Sequence, residues 1–370
     1  MKRVCIYCQT WESGGIESFL NNILQHMDLS DLQIDIVADA LKKSVFTDGL
    51  MARGVTFREL SGSPRSLTQN YRRFAKLMDE QSYDVLHLNV FQAVPLACLS
   101  LAKRKGIPLR IAHSHNAGLR KSITRPVKQL LHRTAREMFT RYATDLWACS
   151  ASAAEFLFSK KQLKERSYRF VPNGIDAAKF RFRADIRECT REELGLRGQF
   201  VVGSVGRLCC QKNQRFLLDV FAEIVRKRPD SRLLLVGEGE DKAALRQKAE
   251  ALGITERVTF YGLSGQVEPL LWGMDVFVLP SLFEGLPVAG VEAQAAGLPV
   301  VCSDSISEQA WVLDRVRALP LNAGAEVWAD AVLALENTPR TGGEAEQMCA
   351  AGFDITNVAS QIETFYRGEP

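Results

Sequence analysis

The sequence has no run of about 18 apolar residues, so no segment is expected to cross a membrane as a helix. It opens Met1-Lys2-Arg3 and passes directly into an apolar strand, without the pattern of a signal peptide. Charge of one sign is also lacking: 47 Lys and Arg face 43 Asp and Glu, a net charge of +4, so nucleic acid is not an expected partner. There is no repeat of roughly 20–50 residues and no low-complexity tract. The nine cysteines include one C-x-x-C spacing, Cys5 and Cys8, with no second pair, and it falls inside an apolar strand. A structural role therefore outweighs a metal or redox role, and scattered cysteines suit a reducing cytosol, so a cytoplasmic protein is expected. No two aspartates stand in D-x-D spacing, so a divalent metal held by such a pair is not expected.

What is present is α/β alternation. A chain of 370 residues, 46% hydrophobic, can bury two cores and is long for one domain. Apolar, partly β-branched runs predict strands at 4–8, 33–37, 55–59, 85–88, 109–113 and 145–148, with helical stretches between them. A second series begins at 200–205 and continues at 233–236, 258–261, 276–279 and 298–302. Repeated βα units predict parallel, doubly wound sheets with ligands at the carboxyl ends of the strands. The turn cluster Val171-Pro172-Asn173-Gly174-Ile175-Asp176 and the aperiodic charged stretch after it divide the chain into a domain over 1–172, a linker over 173–198 and a domain over 199–353. Asn173 and Gly174 are expected to set a turn. Helices are also expected at 326–335 and 355–366.

The most informative stretch is 279–304. A strand ends near Leu279, the chain turns at Pro280-Ser281, and Glu284-Gly285-Leu286-Pro287 leads into a helix starting near Pro287 and capped by Gly297. Glu284 falls in the loop and Glu292 about one and a half turns into the helix. A helix start offers unpaired N–H groups and a positive dipole end, and Gly285 permits close approach of a ligand to the backbone. An anionic, hydroxyl-rich ligand fits. The plainer reading makes both glutamates solvated surface acids.

Other strand ends carry weaker signals. Gly14-Gly15 lies between the first strand and a helix, where backbone N–H groups can meet a phosphate. His113 ends the strand at 109–113 and His115 lies two residues beyond; a lone strand-end histidine is usually a structural hydrogen-bonder, and with successive strand residues pointing to opposite sides, position favours His113. Gly206-Arg207-Leu208-Cys209-Cys210-Gln211-Lys212-Asn213 places two cations five residues apart in a loop, enough to neutralise a diphosphate, although surface cations are commonly just solvated. Gly237 in Gly237-Glu238-Gly239-Glu240 and Gly262-Leu263 mark two further loops. The segment 119–141 carries seven Lys and Arg against Glu137 alone, with Val127, Leu130, Leu131, Met138 and Phe139 on one helical face. Such a helix suits either an ordinary solvated face or an anionic lipid surface.

These motifs together resemble the retaining GT-B glycosyltransferases of the glycosyltransferase family 4 type (glycosyl transferases group 1), which include enzymes of bacterial capsule and exopolysaccharide synthesis. Glu284 to Glu292 is similar to the family's E-x7-E signature, 206–213 to its G-R-hydrophobic-x-x-x-K-N segment, and 172–176 to its P-N-G-hydrophobic-D segment. The resemblance implies two Rossmann-like domains facing each other across a cleft, with a C-terminal helix at about 354–370 returning to the first. It implies a nucleotide-sugar donor, UDP-linked by frequency among relatives, and a glycan or polyprenyl-linked acceptor. Transfer would occur with retention, without cofactor or metal, on the inner face of the cytoplasmic membrane. The implied roles are Arg207 and Lys212 on the diphosphate, Glu284 on the transferred sugar, Glu292 on the ribose and His113 near the reacting carbon, with His115 the runner-up. Backbone contacts are implied at Gly14, Gly15, Gly206, Gly237, Gly262, Leu263, Gly285, Leu286 and Pro287. Two rivals are a nucleotide-sugar epimerase of the same fold, separable by its product, and a non-catalytic sugar-nucleotide-binding subunit.

Overall fold

Short apolar runs flanked by amphipathic segments cannot bury both of their faces alone, and here they assemble into two wholly parallel sheets. The computed structural model describes residues 1–12, 14–118 and 125–368. The first sheet holds β1 (Lys2–Trp11), β2 (Leu32–Leu41), β3 (Thr56–Glu59), β4 (Val85–Val90), β5 (Leu109–Ser114), β6 (Asp145–Ala148) and β7 (Arg169–Phe170), in the order β3-β2-β1-β4-β5-β6-β7. The second holds β8 (Phe200–Val205), β9 (Ser231–Val236), β10 (Val258–Gly262), β11 (Val276–Leu279), β12 (Val300–Ser303) and β13 (Val316–Leu319), in the order β10-β9-β8-β11-β12-β13. In each, the strand order reverses beside the first strand: between β1 and β4, and between β8 and β11. Ligands of open parallel sheets lie at such switch points.

The chain forms two compact units, Met1–Gly174 with Ile355–Pro370, and Ile175–Asp354. In the first, the even-numbered residues of β1, Val4, Ile6 and Cys8, face a core shared with Ile16, Phe19, Leu20 and Ile23 of the helix Gly15–His26. Ile355, Val358, Ile362 and Tyr366 of the helix Ile355–Arg367 complete the same core. Cys5 and Cys8, three apart on a strand, point to opposite faces and are both buried. In the second unit, Leu217, Phe221 and Ile224 of the helix Gln214–Lys227 pack with Trp328 and Val332 of the helix Ala325–Leu333 over β8, β9 and β11.

Three local readings change. Pro287 is the N-cap, with ψ 102°, and the helix runs Val288–Ala295; its far end closes as expected, with Gly297 at φ 73° and amides 297 and 298 bonded back to Gln294 and Ala293. Gly174 serves close packing, because a Cβ there would lie 2.9 Å from the Ile355 Cα. Residues 173–198, read as a linker, contain the helices Ala177–Phe180 and Ala184–Glu193. The second is held by charge: Arg187 and Arg191 reach Asp275 at 2.5 and 3.1 Å, and both donate to carbonyls at 272–274.

Candidate active site

In the second unit the loops after β8 and β11, the two strands at the switch point, are laced together. Leu282 N–H donates to the Gln211 carbonyl (2.8 Å), Gln211 Nε2 to the Phe283 carbonyl (3.1 Å) and Asn213 Nδ2 to the Pro280 carbonyl (3.1 Å). Asn213, the one non-glycine residue with positive φ among those described, takes the left-handed conformation as the residue entering the helix Gln214–Lys227. Asparagine tolerates that conformation better than most side chains. The result brings Lys212 Nζ to 2.6 Å from Glu284 Oε1, an ion pair without hydrogen-bond alignment, with Glu284 only 6% exposed. The two residues with the clearest sequence signals are thus partners.

Arg207 is more exposed and donates from Nε to Glu240 Oε2 at 3.0 Å. Glu240 belongs to the Gly237–Glu238–Gly239–Glu240 turn after β9, whose position rests on glycine. A Cβ on Gly237, at φ 136°, would stand 2.1 Å from the Gly206 carbonyl oxygen. Gly206 N–H donates to Val236 O and Gly237 N–H to Gly262 O, so the ends of β8, β9 and β10 form one ledge. Gly237 therefore has a packing role sufficient to explain it. Leu263, beyond that ledge, is 80% exposed.

Gly285, Leu286 and Pro287 are buried between Glu284 and the helix Val288–Ala295. The first helical hydrogen bonds run from Gly290 and Val291 N–H to Pro287 O, leaving the amides of Val288 and Ala289 without an intrahelical acceptor. Glu292 lies on this helix, and burial pushes its carboxyl up to about 7, opposed by Lys179 and reinforced by Glu268. Of the predicted residues, Lys212 and Glu284 are brought together directly, whereas Arg207 pairs with Glu240 and the charged groups acting on Glu292 are Lys179 and Glu268.

In the first unit, Gly14 and Gly15 are exposed at the start of the helix Gly15–His26. The buried Glu17 carboxylate accepts from the Gly14 amide, yet burial raises it to about 7. Phe19 of the same helix packs edge-on against the His113 ring and tilted against His115, with centroids 5.4 and 5.1 Å away. His113 is fully buried: its Nδ1 meets His87 Nε2 at 3.0 Å, and His87 Nδ1 meets the Tyr366 hydroxyl at 2.5 Å. Its own Nε2 has no partner. His115, half-buried, bonds Asn89 through Nε2 (2.8 Å) and also Asn173. Burial holds all three imidazoles below the usual range. Of the two predicted histidines, His115 is the more accessible, and His113 is a member of an internal hydrogen-bonded chain. His87 and Tyr366 carried no local signal, being a mid-strand histidine and a helix tyrosine distant in sequence.

Known proteins share this architecture. Residues 13–179 match the family model described as Glycosyltransferase Family 4, and residues 199–337 the one described as Glycosyl transferases group 1. Bacillus subtilis EpsF, named as a glycosyltransferase, is 29% identical over 98% of this chain and 96% of its own. The Escherichia coli UDP-Gal:alpha-D-GlcNAc-diphosphoundecaprenol alpha-1,3-galactosyltransferase is 28% identical over 62% of this chain and 60% of its own. Anabaena HepE, solved in complex with UDP, superposes with a TM-score of 0.80 at 21% identity over 100% of both chains, a likeness of fold. With both halves matched to glycosyltransferase domains and a relative aligned across nearly the whole length, the chain belongs to the family 4 glycosyltransferases of GT-B fold.

Proposed function

We propose that this glycosyltransferase is a retaining, metal-independent hexosyltransferase that moves a sugar from a UDP-sugar to a glycan or polyprenyl-linked acceptor. The observation that carries the reading is the Lys212–Glu284 pair, in the loops of the two strands that flank the second sheet's switch point. A diphosphate bound there competes with Glu284 for Lys212 and with Glu240 for Arg207. It thereby releases Glu284 to accept from a hydroxyl of the sugar. As the bond from the anomeric carbon to the phosphate oxygen breaks, the electron pair leaves with the phosphate, and Arg207, Lys212 and the helix start stabilise that charge without reorganising. The acceptor hydroxyl attacks from the leaving-group face and its proton passes to the departing phosphate. Glu292 takes the ribose. Supplying positive charge from two side chains, in a sequence without D-x-D, supports metal independence.

UDP is favoured because HepE is solved with UDP and the Escherichia coli relative is named for UDP-Gal. A polyprenyl-linked acceptor follows from the same relative, named for a diphosphoundecaprenol substrate. An anionic membrane surface is the matching partner. On the helix Arg125–Phe139 the buried residues are His132 and Ala135, whereas Val127, Leu130, Leu131 and Met138 are 62, 66, 49 and 48% exposed beside Lys128 and Arg133. The expected residues 119–124 of this basic segment lie outside the described residues. No helix among the described residues is long and apolar enough to cross a membrane.

Transfer from a panel of radiolabelled UDP-, GDP- and ADP-sugars to membrane-extracted lipid acceptors tests the reading. Lys212→Ala should keep its fold and lose roughly 100-fold or more in transfer, the scale for removing one stabilising donor. Near-normal transfer in that variant would sink the assignment, and a preference for a GDP- or ADP-sugar would overturn the donor.

A further inference from the structure

Three buried side chains of the first unit, His87 of β4, His113 of β5 and Tyr366 of the helix Ile355–Arg367, form a line of hydrogen bonds. The Tyr366 hydroxyl lies 2.5 Å from His87 Nδ1, and His87 Nε2 lies 3.0 Å from His113 Nδ1. Burial keeps the phenol protonated and both imidazoles neutral, so each ring carries one proton. Two proton arrangements fit these contacts. In the first, the Tyr366 hydroxyl donates to His87 Nδ1 and His87 Nε2–H donates to His113 Nδ1, which puts the His113 proton on Nε2. In the reverse, His113 Nδ1–H donates to His87 Nε2, and His87 Nδ1–H to the Tyr366 oxygen.

Counting unmatched groups separates the two. His113 Nε2 is buried without a partner, and His87 Nδ1 is the polar atom that the Tyr366 hydroxyl meets among the described residues. The first arrangement leaves one polar group unmatched, the His113 N–H. The reverse leaves two, the phenolic hydrogen and the His113 lone pair. One buried group fewer favours the first by about tenfold or more. The ordering reaches the strand end, because the His113 and His115 rings lie 4.0 Å apart between centroids, tilted by 40°. An imidazole is strongly dipolar, and moving its proton to the other nitrogen swings that dipole against its neighbour. His115 is also held through Asn89. A carbonyl only accepts, so Asn89 Nδ2 faces the His87 carbonyl at 3.5 Å, and its Oδ1 accepts from His115 Nε2 at 2.8 Å.

We propose that Tyr366 is a positioning residue for the transfer reaction: its hydroxyl, acting through His87, fixes the proton of His113 on Nε2 and so orders the ring that backs His115. The inference rests on the transferase reading in placing His115 beside the reacting sugar. Tyr366 lies 279 residues beyond His87, so the histidines of the first unit are set only once the last helix has docked.

Tyr366→Phe removes the hydroxyl and keeps the ring. The sequence holds five histidines, and long-range 1H–15N spectra of the full chain labelled with 15N-histidine report the tautomer of each. Wild type should show His113 as Nε2–H alone. In Tyr366→Phe both arrangements leave two groups unmatched, so His113 should become a mixture of comparable populations. Transfer should lose about tenfold in kcat, with the donor KM within about twofold of wild type. Ile362→Val, in the core one turn earlier on the same helix, controls for loosened packing and should lower melting while leaving the tautomer and kcat unchanged. An Nδ1–H ring at His113 in wild type, a single Nε2–H ring in Tyr366→Phe, unchanged kcat beside a mixed tautomer, or an equal loss of kcat in Ile362→Val would each overturn the proposal. No transfer by wild type from any UDP-, GDP- or ADP-sugar would instead defeat the transferase reading, with the spectra alone then deciding whether Tyr366 governs His113.

Discussion

Glu292 provides the sharpest test of the second unit. Burial raises its carboxyl from 4.5 to about 7, so near neutrality it is divided between its acid and its anion. A ribose diol donates its hydrogens, and it is the anion that accepts them. Binding should then draw the carboxyl into its ionised form and release a proton. The ionised fraction is about one part in eleven at pH 6 and about ten in eleven at pH 8, so affinity should rise about tenfold between those values, roughly 1.4 kcal/mol. A UDP-sugar is the right ligand, since its diphosphate carries no group titrating near neutrality. Titration calorimetry in two buffers of different ionisation enthalpy should show a fraction of a proton released at pH 7. Glu292→Gln should bind with a flat profile. Glu17 and Asp39 titrate in the same region, at about 7 and about 6, but a slope due to them would persist in Glu292→Gln. A tenfold slope in that variant, or a flat profile in wild type, refutes the role. The same shift affects stability. Between about 4.5 and about 7 the folded chain binds more protons here than the unfolded one, so this carboxyl's contribution to stability declines as pH rises through that window.

Two further outcomes follow from local geometry. Gly237→Ala should cost about 3 kcal/mol, from the φ of 136° and the 2.1 Å approach to Gly206 O, and lower melting by roughly 6–12 °C; a change under about 2 °C would mean the ledge relaxes freely. Leu130→Glu should reduce co-sedimentation with phosphatidylglycerol-rich vesicles about tenfold or more, the worth of one buried leucine, and equal binding by the variant would remove the helix Arg125–Phe139 as a lipid-facing surface.

The doubly wound architecture was legible because most strands are buried on both faces and read as apolar runs. β7 and β13 were not, being short edge strands of mixed burial with little apolar pattern. The helix Ala184–Glu193 escaped for a related reason. Its anchors are arginines gripping Asp275 and backbone carbonyls, so no apolar stripe marks it. At the site, Lys212 and Glu284 were recognisable from their own motifs, but their pairing was not, since it depends on the adjacency of β8 and β11.

The helix Ile355–Arg367 has a consequence for how the protein is made. Ile355, Val358, Ile362 and Tyr366 plug the core that β1 and β2 began more than three hundred residues earlier. On the ribosome, the inserted unit can be completed while its host is still short of a wall, so the earliest-synthesised half matures last. A chain truncated after residue 354 should yield a protease-resistant later half and a digestible earlier one.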